Sequence, residues 1–144
     1  DAAIDYREAG SRISKKIREA CPEGVDAYFD NVGGPITDAV FPSFNVGARV
    51  AICGQISQYN NSSVELGPRL LGHFIVKRIR MQGFLVFDFK RQFPGAFREL
   101  SAWVAEGKLT FRENFVDGIE NAPDAFLGLF RGDNIGKQLV RVSD

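Results

Sequence analysis

Two rhythms of apolar and polar positions alternate along the first ninety or so residues. Residues 25–32, VDAYFDNV, form a largely apolar run that ends in Asn31 and the pair Gly33-Gly34; residues 49–54, RVAICG, form a second that ends in Gly54; residues 79–87, IRMQGFLVF, form a third. Short apolar runs bounded by glycine predict buried strands. Between them the spacing turns helical. Ile13, Ile17 and Ala20 share one face of a helix capped by Ser11 and closed by Pro22 and Gly24, a short helix over 37–44 is broken by Pro42, and residues 70–77 predict another helix after the polar loop 55–67. The opening residues 2–6 read as extended. Strands that alternate with helices predict βαβ units and a parallel sheet, hence an α/β fold.

Beyond residue 92 the pattern changes. Phe93, Ala96, Phe97, Leu100, Trp103 and Val104 recur at helical spacing up to Gly107, so their aromatic rings are expected in a core. Residues 109–115 read as extended. Asn121 is placed to cap a helix with Pro123 in its first turn, Phe126, Leu129 and Phe130 on its inner face and Gly132 at its end; residues 137–142 predict a last strand. There is no internal repeat and no low-complexity linker.

Composition narrows the function classes. With 144 residues, 44% of them apolar and 13 Phe, there is material for a core of about one domain. Eighteen basic and eighteen acidic residues are scattered, which gives no electrostatic case for nucleic acid or a membrane surface. No apolar run approaches the roughly 20 residues of a membrane span, so a soluble, cytoplasmic protein is expected. The two cysteines, Cys21 and Cys53, and the single histidine, His73, cannot supply the three or four thiolate or imidazole ligands of a zinc site. No metal is expected. His73, among Leu71, Phe74 and Ile75, reads as an ordinary helical position rather than a base. The chain opens on Asp1 and its only methionine is Met81, which predicts a piece of a longer protein.

In parallel sheets, ligands bind beyond the carboxyl ends of the strands. Three such ends carry candidates: Asn31 with Gly33-Gly34, Cys53-Gly54 followed by QISQYN, and Phe84-Leu85-Val86. Small residues let a flat ring approach the backbone, and an Asn amide both donates and accepts, which suits a carboxamide or a ribose. A nicotinamide dinucleotide meets that description, and so do a phosphate and a flavin. Neither G-x-G-x-x-G nor G-x-x-x-x-G-K-[ST] occurs, so a pyrophosphate-binding turn is absent from these residues.

The segments DAYFDNVGG, ARVAICGQISQYN, IRMQGF and GIENAPDAFLGLFRGDNIGK, in this order, resemble the zinc-independent medium-chain dehydrogenase/reductases. The likeness is to the branch of prostaglandin reductase, leukotriene B4 12-hydroxydehydrogenase and alkenal double-bond reductase, and it runs over essentially the whole chain. It implies an α/β fold: residues 1–92 as the later part of a Rossmann doubly wound parallel sheet, with its third strand near Ile4, and residues 93–144 as the C-terminal return segment of the catalytic, GroES-like domain. It implies NADPH as cofactor, although the lysine that marks the preference over NADH is expected before Asp1. Tyr6 would lie by the adenosine phosphate end and Asn31 on the cofactor. Cys53, Gly54, Ile56, Ser57 and Tyr59 would wrap the nicotinamide half, Phe84, Leu85 and Val86 would abut the ring, and Asn134 would close over the site.

The implied reaction is reduction of the carbon-carbon double bond of a small α,β-unsaturated aldehyde or ketone by hydride transfer, with Tyr59 the catalytic donor to the developing enolate. A homodimer paired along residues 84–89 is also implied. Val76 departs from some mammalian-type members, which carry tyrosine there. A quinone-reducing enzyme on the same scaffold, and a noncatalytic module that pairs through MQGFLVF, stay open. Plainer roles are available too: Tyr6 can cover an edge, Cys53 can be a small buried strand residue and Phe84 a core aromatic. Asn31, Tyr59 and Asn134 are polar residues that need a partner to explain their places.

Overall fold

An aspartate, not a serine, opens the first helix in the computed structural model, which describes residues 2–143. Asp5 Oδ1 accepts from the backbone N–H of Arg7 and Glu8 at 2.8 and 3.2 Å, so the chain turns into α1 (Tyr6–Ala9) where an extended segment and a strand near Ile4 were expected. The carboxylate satisfies the first free donors of the helix and draws the backbone out of the extended form. After a 3-10 turn, Gly10–Arg12, comes α2 (Ile13–Ala20), with Arg12 at its N-cap and Ser11 inside the turn rather than capping. Ile17 is buried and Ile13 half-buried, but Ala20 faces outward.

The expected alternation comes next: β1 (Val25–Asp30), α3 (Gly34–Val40), a 3-10 turn Phe41–Ser43, β2 (Phe44–Ile52), α4 (Leu71–Lys77) and β3 (Arg80–Gly83). The three strands form a parallel sheet in the order β1-β2-β3. Tyr28, Val50 and Met81 stand in one row across the sheet, and Phe29, Ala51 and Gln82 in the next, so the two rows point to opposite faces. The first face carries the core, where Val50 meets Phe41, Phe44, Val40, Ile17 and Ile79, with Tyr28 and Phe74 packed against them. Phe41 and Phe44 meet edge to face at 5.1 Å, and Phe74 lies 5.6 Å from Phe41. The second face is different. Phe29 there is 62% exposed, and Ala27, Phe29, Arg49, Gln82, Phe84 and Phe89 border an open concavity of about 780 Å³.

β3 is shorter than its apolar run. Asp88 Oδ2 accepts from the Leu85 N–H at 3.0 Å, which starts two 3-10 turns over Val86–Gln92, with a kink at Phe89 between them, and takes Phe84 to Phe87 out of the expected strand. The described chain divides into two compact units, Asp1–Lys90 and Arg91–Asp144, where length alone suggested one.

In the second unit α5 (Phe93–Ala105), β4 (Glu113–Asp117), α6 (Ala122–Arg131) and β5 (Lys137–Arg141) succeed one another, and β4 pairs with β5 in parallel. Pro123 lies in the first turn of α6, but Asn121 does not cap it through its side chain, because its Nδ2 donates to the Asp117 carbonyl at 2.8 Å. Gly132, at φ +71°, closes the helix. The core expected on these helices does not form within the unit: Phe97, Leu100, Trp103, Val104, Phe126, Leu129 and Phe130 are all exposed. Two strands and two helices offer too little facing surface to cover them. Among the described residues no helix is long and apolar enough to cross a membrane.

β1 has β2 on one side and, among the described residues, no strand on the other. An unpaired parallel edge beside exposed aromatic side chains templates association. Light scattering of the chain at high concentration should give a mass above that of the 15.9 kDa monomer. A clean monomer would show that edge and face to be self-sufficient.

Candidate functional site

Asp30 is the last residue of β1 and is 2% exposed, the most buried charged side chain described. Its Oδ1 accepts from the N–H of Val32 and Gly33 at 3.0 and 2.9 Å, and its Oδ2 accepts from the Thr37 hydroxyl of α3. Its backbone carbonyl accepts from Cys53 and Gly54 N–H at 2.7 and 3.3 Å. Two residues further along, Val32 O accepts from both the Ser57 N–H, at 3.0 Å, and the Ser57 hydroxyl, at 2.7 Å. The turn after β1 and the loop after β2 are thereby tied into one knot.

Glycine is required inside it. A Cβ at Gly54 would stand 2.6 Å from Asn31 Oδ1 and 3.4 Å from the Tyr59 hydroxyl oxygen, so these two side chains border the same point of backbone. Gly33 and Gly34 have φ of +71° and +64°, the left-handed region that other residues avoid.

The structure brings most of the anticipated residues to this edge. Asn31 is exposed, and its side-chain amide makes no hydrogen bond to another described residue. Tyr59 is exposed, and its hydroxyl oxygen accepts from the Gln55 N–H at 3.2 Å. Ile56 and Ser57 begin the 3-10 turn Ile56–Gln58. Cys53 is a free, exposed thiol just past β2, not a buried strand residue, because its N–H bonds the Asp30 carbonyl at the sheet's end while its side chain turns out. Phe84 is half-buried, its ring 6.0 Å from that of Phe29 and 5.7 Å from that of Phe89. Cys53, Gly54, Tyr59, Phe84 and Leu85 line a shallow concavity of about 480 Å³, with Val86 exposed just beyond it.

Two candidates are not among the residues of the first unit that line that concavity. Tyr6 opens α1 under the Arg7 guanidinium, 5.9 Å from its ring, and does not line this concavity. Asn134 belongs to the second unit, where its Nδ2 donates to the Gly136 carbonyl at 2.6 Å. His73 lies in α4 with its ring 6.1 Å from that of Phe41, an ordinary packing position.

Sequence reasoning missed Asp30 and Thr37, and it gave Gln55, within QISQYN, no role of its own. The signal for Asp30 was present in D-N-V-G: an Asp whose carboxylate reaches N–H groups two and three residues on is an Asx turn, which belongs at the end of a strand. Burial pushes the Tyr28 hydroxyl up, opposed by its hydrogen bond with Thr37 and aided by the Asp30 charge. The Asp38 carboxyl is also pushed up, by burial and by the neighbouring Glu65 carboxylate. Among the described residues no group of three or more His, Cys, Asp or Glu could hold a metal ion.

The chain matches the family described as zinc-binding dehydrogenase over residues 1–140. It belongs to that family. The donor set of the described residues does not fit the zinc of the family's description. The chain is 49% identical over 146 residues to YfmJ of Bacillus subtilis, covering 100% of this chain and 43% of that protein. It is 43% identical over 143 residues to the NADP-dependent 2-alkenal reductase of Nicotiana tabacum, covering 99% and 41%. Among solved structures, CurA from Vibrio vulnificus superposes with a TM-score of 0.89 at 42% identity, over 100% of this chain and 43% of that one. CurA in complex with NADPH gives 0.83 at 43% identity, over 91% and 40%. The chain therefore spans less than half the length of these relatives, and the branch read from its motifs is the one named by the 2-alkenal reductase and by prostaglandin reductase 1 of Bos taurus, 40% identical over 143 residues, covering 98% of this chain and 43% of that protein.

The knot yields a direct check. Gly54→Ala should displace Asn31 or the loop at Tyr59 and cost roughly 1–3 kcal/mol in urea unfolding of the first unit, with amide shifts concentrated at 31–34 and 53–59. Unchanged stability and shifts would mean that the two loops are not packed as tightly as the structure has them.

Proposed function

We propose that the two loops hold the nicotinamide end of NADPH in a reductase of α,β-unsaturated aldehydes or ketones. One observation carries the reading: the Tyr59 hydroxyl oxygen accepts from the Gln55 N–H at 3.2 Å, while Tyr59 and Asn31 both stay exposed beside Gly54. An oxygen already engaged as acceptor has its own hydrogen left to give. Asn31, whose amide is unengaged, can donate to and accept from a carboxamide or ribose. Phe84, Leu85 and Val86 supply an apolar flank for a flat ring. The donor set and the flank fit the group that CurA binds, and the alkenal reductase relative supports the substrate class.

NADPH, when bound, supplies the hydride that adds to the β-carbon. As negative charge develops on the carbonyl oxygen, the Tyr59 O–H donates to it and stabilises the enolate; in this reading the same hydroxyl then gives its proton to the α-carbon and the exposed phenol is reprotonated from water. The Gln55 N–H keeps the phenol oriented through that transfer. Tyr6 is assigned the adenosine phosphate end by resemblance alone. A homodimer and a cytoplasmic setting belong to the same reading.

Tyr59→Phe in the whole enzyme should lower kcat roughly 10- to 1,000-fold with little change in KM for NADPH. An unchanged kcat would remove Tyr59 from the reaction. The 144-residue chain by itself should bind NADPH with a Kd above about 1 μM in calorimetry, because no glycine-rich pyrophosphate turn lies within it. Tighter binding would mean that the pyrophosphate is held by other residues of this chain.

A further inference from the structure

Asp30 has no part in the chemistry above and is only 2% exposed. Its burial is still costly: an ionised carboxylate taken from water is held only if its oxygens are fully hydrogen-bonded. Here they are, by two backbone N–H groups and the Thr37 hydroxyl, with the Tyr28 phenol as a further polar neighbour. All of these bonds converge on one turn. They fix the N–H groups on either side of the Val32 carbonyl that receives Ser57, and the peptide whose carbonyl receives Cys53 and Gly54. In sequence, Asn31 lies between the carboxylate and the two N–H groups it grips.

We infer that Asp30 is the positioning residue of this site: its buried carboxylate, oriented by Thr37, clamps the turn after β1, and through the turn holds the Gly54 to Tyr59 loop. Asn31 and Tyr59 then face the ligand from fixed backbone instead of from two independent loops. This rests on the reading that the loops hold NADPH, and it adds which residue makes them a site. A carboxylate suits the task because both oxygens accept and carry charge; an amide in its place offers the two N–H groups a neutral, weaker acceptor and reverses the bond at Thr37, whose hydroxyl must then accept.

The test uses the 144-residue chain and four variants: Asp30→Asn, Thr37→Val, Thr37→Ser and Asn31→Ala. In amide hydrogen exchange, Asp30→Asn and Thr37→Val should speed Val32, Gly33 and Gly54 by about tenfold or more while Phe44 and Val50 keep their protection. Thr37→Ser, which retains the hydroxyl, should restore the slow rates. In a titration with millimolar NADPH, shifts at Asn31 and Gly54 should shrink at least about threefold in Asp30→Asn and Thr37→Val, and Asn31→Ala should add little to the Asp30→Asn loss.

Unchanged exchange at Val32 and Gly33 in Asp30→Asn, or full additivity with Asn31→Ala, overturns the inference. Loss of protection at Phe44 and Val50 in both Asp30→Asn and Thr37→Val also overturns it, since the carboxylate would then be a general staple of the core. If NADPH moves no shift even in the unsubstituted chain, as the absence of the pyrophosphate turn from these residues allows, the exchange rates alone decide whether Asp30 and Thr37 set the loops, and Tyr59→Phe in the whole enzyme decides the cofactor-site reading.

Discussion

Parallel strands in register end on the same side of a sheet, so the loops that leave them meet; here Asp30 stands opposite Ile52 and Ile52 opposite Gly83. Each feature of the site extends that register by a residue or two. The Asp30 carbonyl continues the β1–β2 ladder to Cys53 and Gly54 after the strands have formally stopped, and the Phe84 N–H continues the next ladder to the Ile52 carbonyl at 3.1 Å. The backbone of the second loop is thus drawn against Asn31, and a Cβ at position 54 would have to displace the Asn31 side chain and press on its carbonyl at 3.2 Å. A slip of one residue in the β1–β2 pairing would turn Asp30 to the other face and separate the two loops.

The knot is expensive and therefore specific. Burying Asp30 saves nothing by itself, because its desolvation offsets most of what three hydrogen bonds return. What it provides is a single geometry: two N–H groups and a hydroxyl from α3 can all be satisfied only when the turn closes one way. Ser57 repeats the device on a smaller scale, with backbone and hydroxyl both on the Val32 carbonyl. Rigid backbone beneath exposed polar side chains is the usual construction of a site that must hold a ligand in one pose.

The strand ends were legible in the sequence because glycine after an apolar run leaves few alternatives, and Asn31, Gly54 and Tyr59 stand out as the residues just beyond such runs. Their mutual arrangement was not legible. No spacing rule says that Gly54 lies against Asn31, since that contact comes from pairing between segments more than twenty residues apart. The third strand was overextended for a local reason: apolarity carries on through Phe87, but Asp88 competes for the Leu85 N–H and wins. Competition of the same kind explains Asp5 over Ser11 as the first cap. The helices beyond residue 92 show the remaining weakness of periodicity. Phe97, Trp103 and Phe130 mark apolar faces, but a pattern states only that a face is apolar, not that anything within its unit covers it.

Charge decides which part of a ligand the glycine pair can meet. Gly33 and Gly34, at the N-cap and first position of α3, have the look of a phosphate cradle, yet α3 is only 7 residues long and the surroundings are acidic. A Cβ at Gly34 would stand 3.8 Å from Glu65 Oε2, and one at Gly67 would stand 3.4 Å from Asp38 Oδ2. Glu65 helps to push the Asp38 carboxyl up, which is the response of a carboxylate to negative potential, and the buried Asp30 charge lies beneath the same concavity. A phosphate there would face three carboxylates, with no cation among the described residues that line the concavity. An uncharged ribose or carboxamide meets no such opposition, and it finds in Asn31 an amide free to bond it. The electrostatics therefore favour the neutral, nicotinamide end of a dinucleotide at these loops over either of its phosphates.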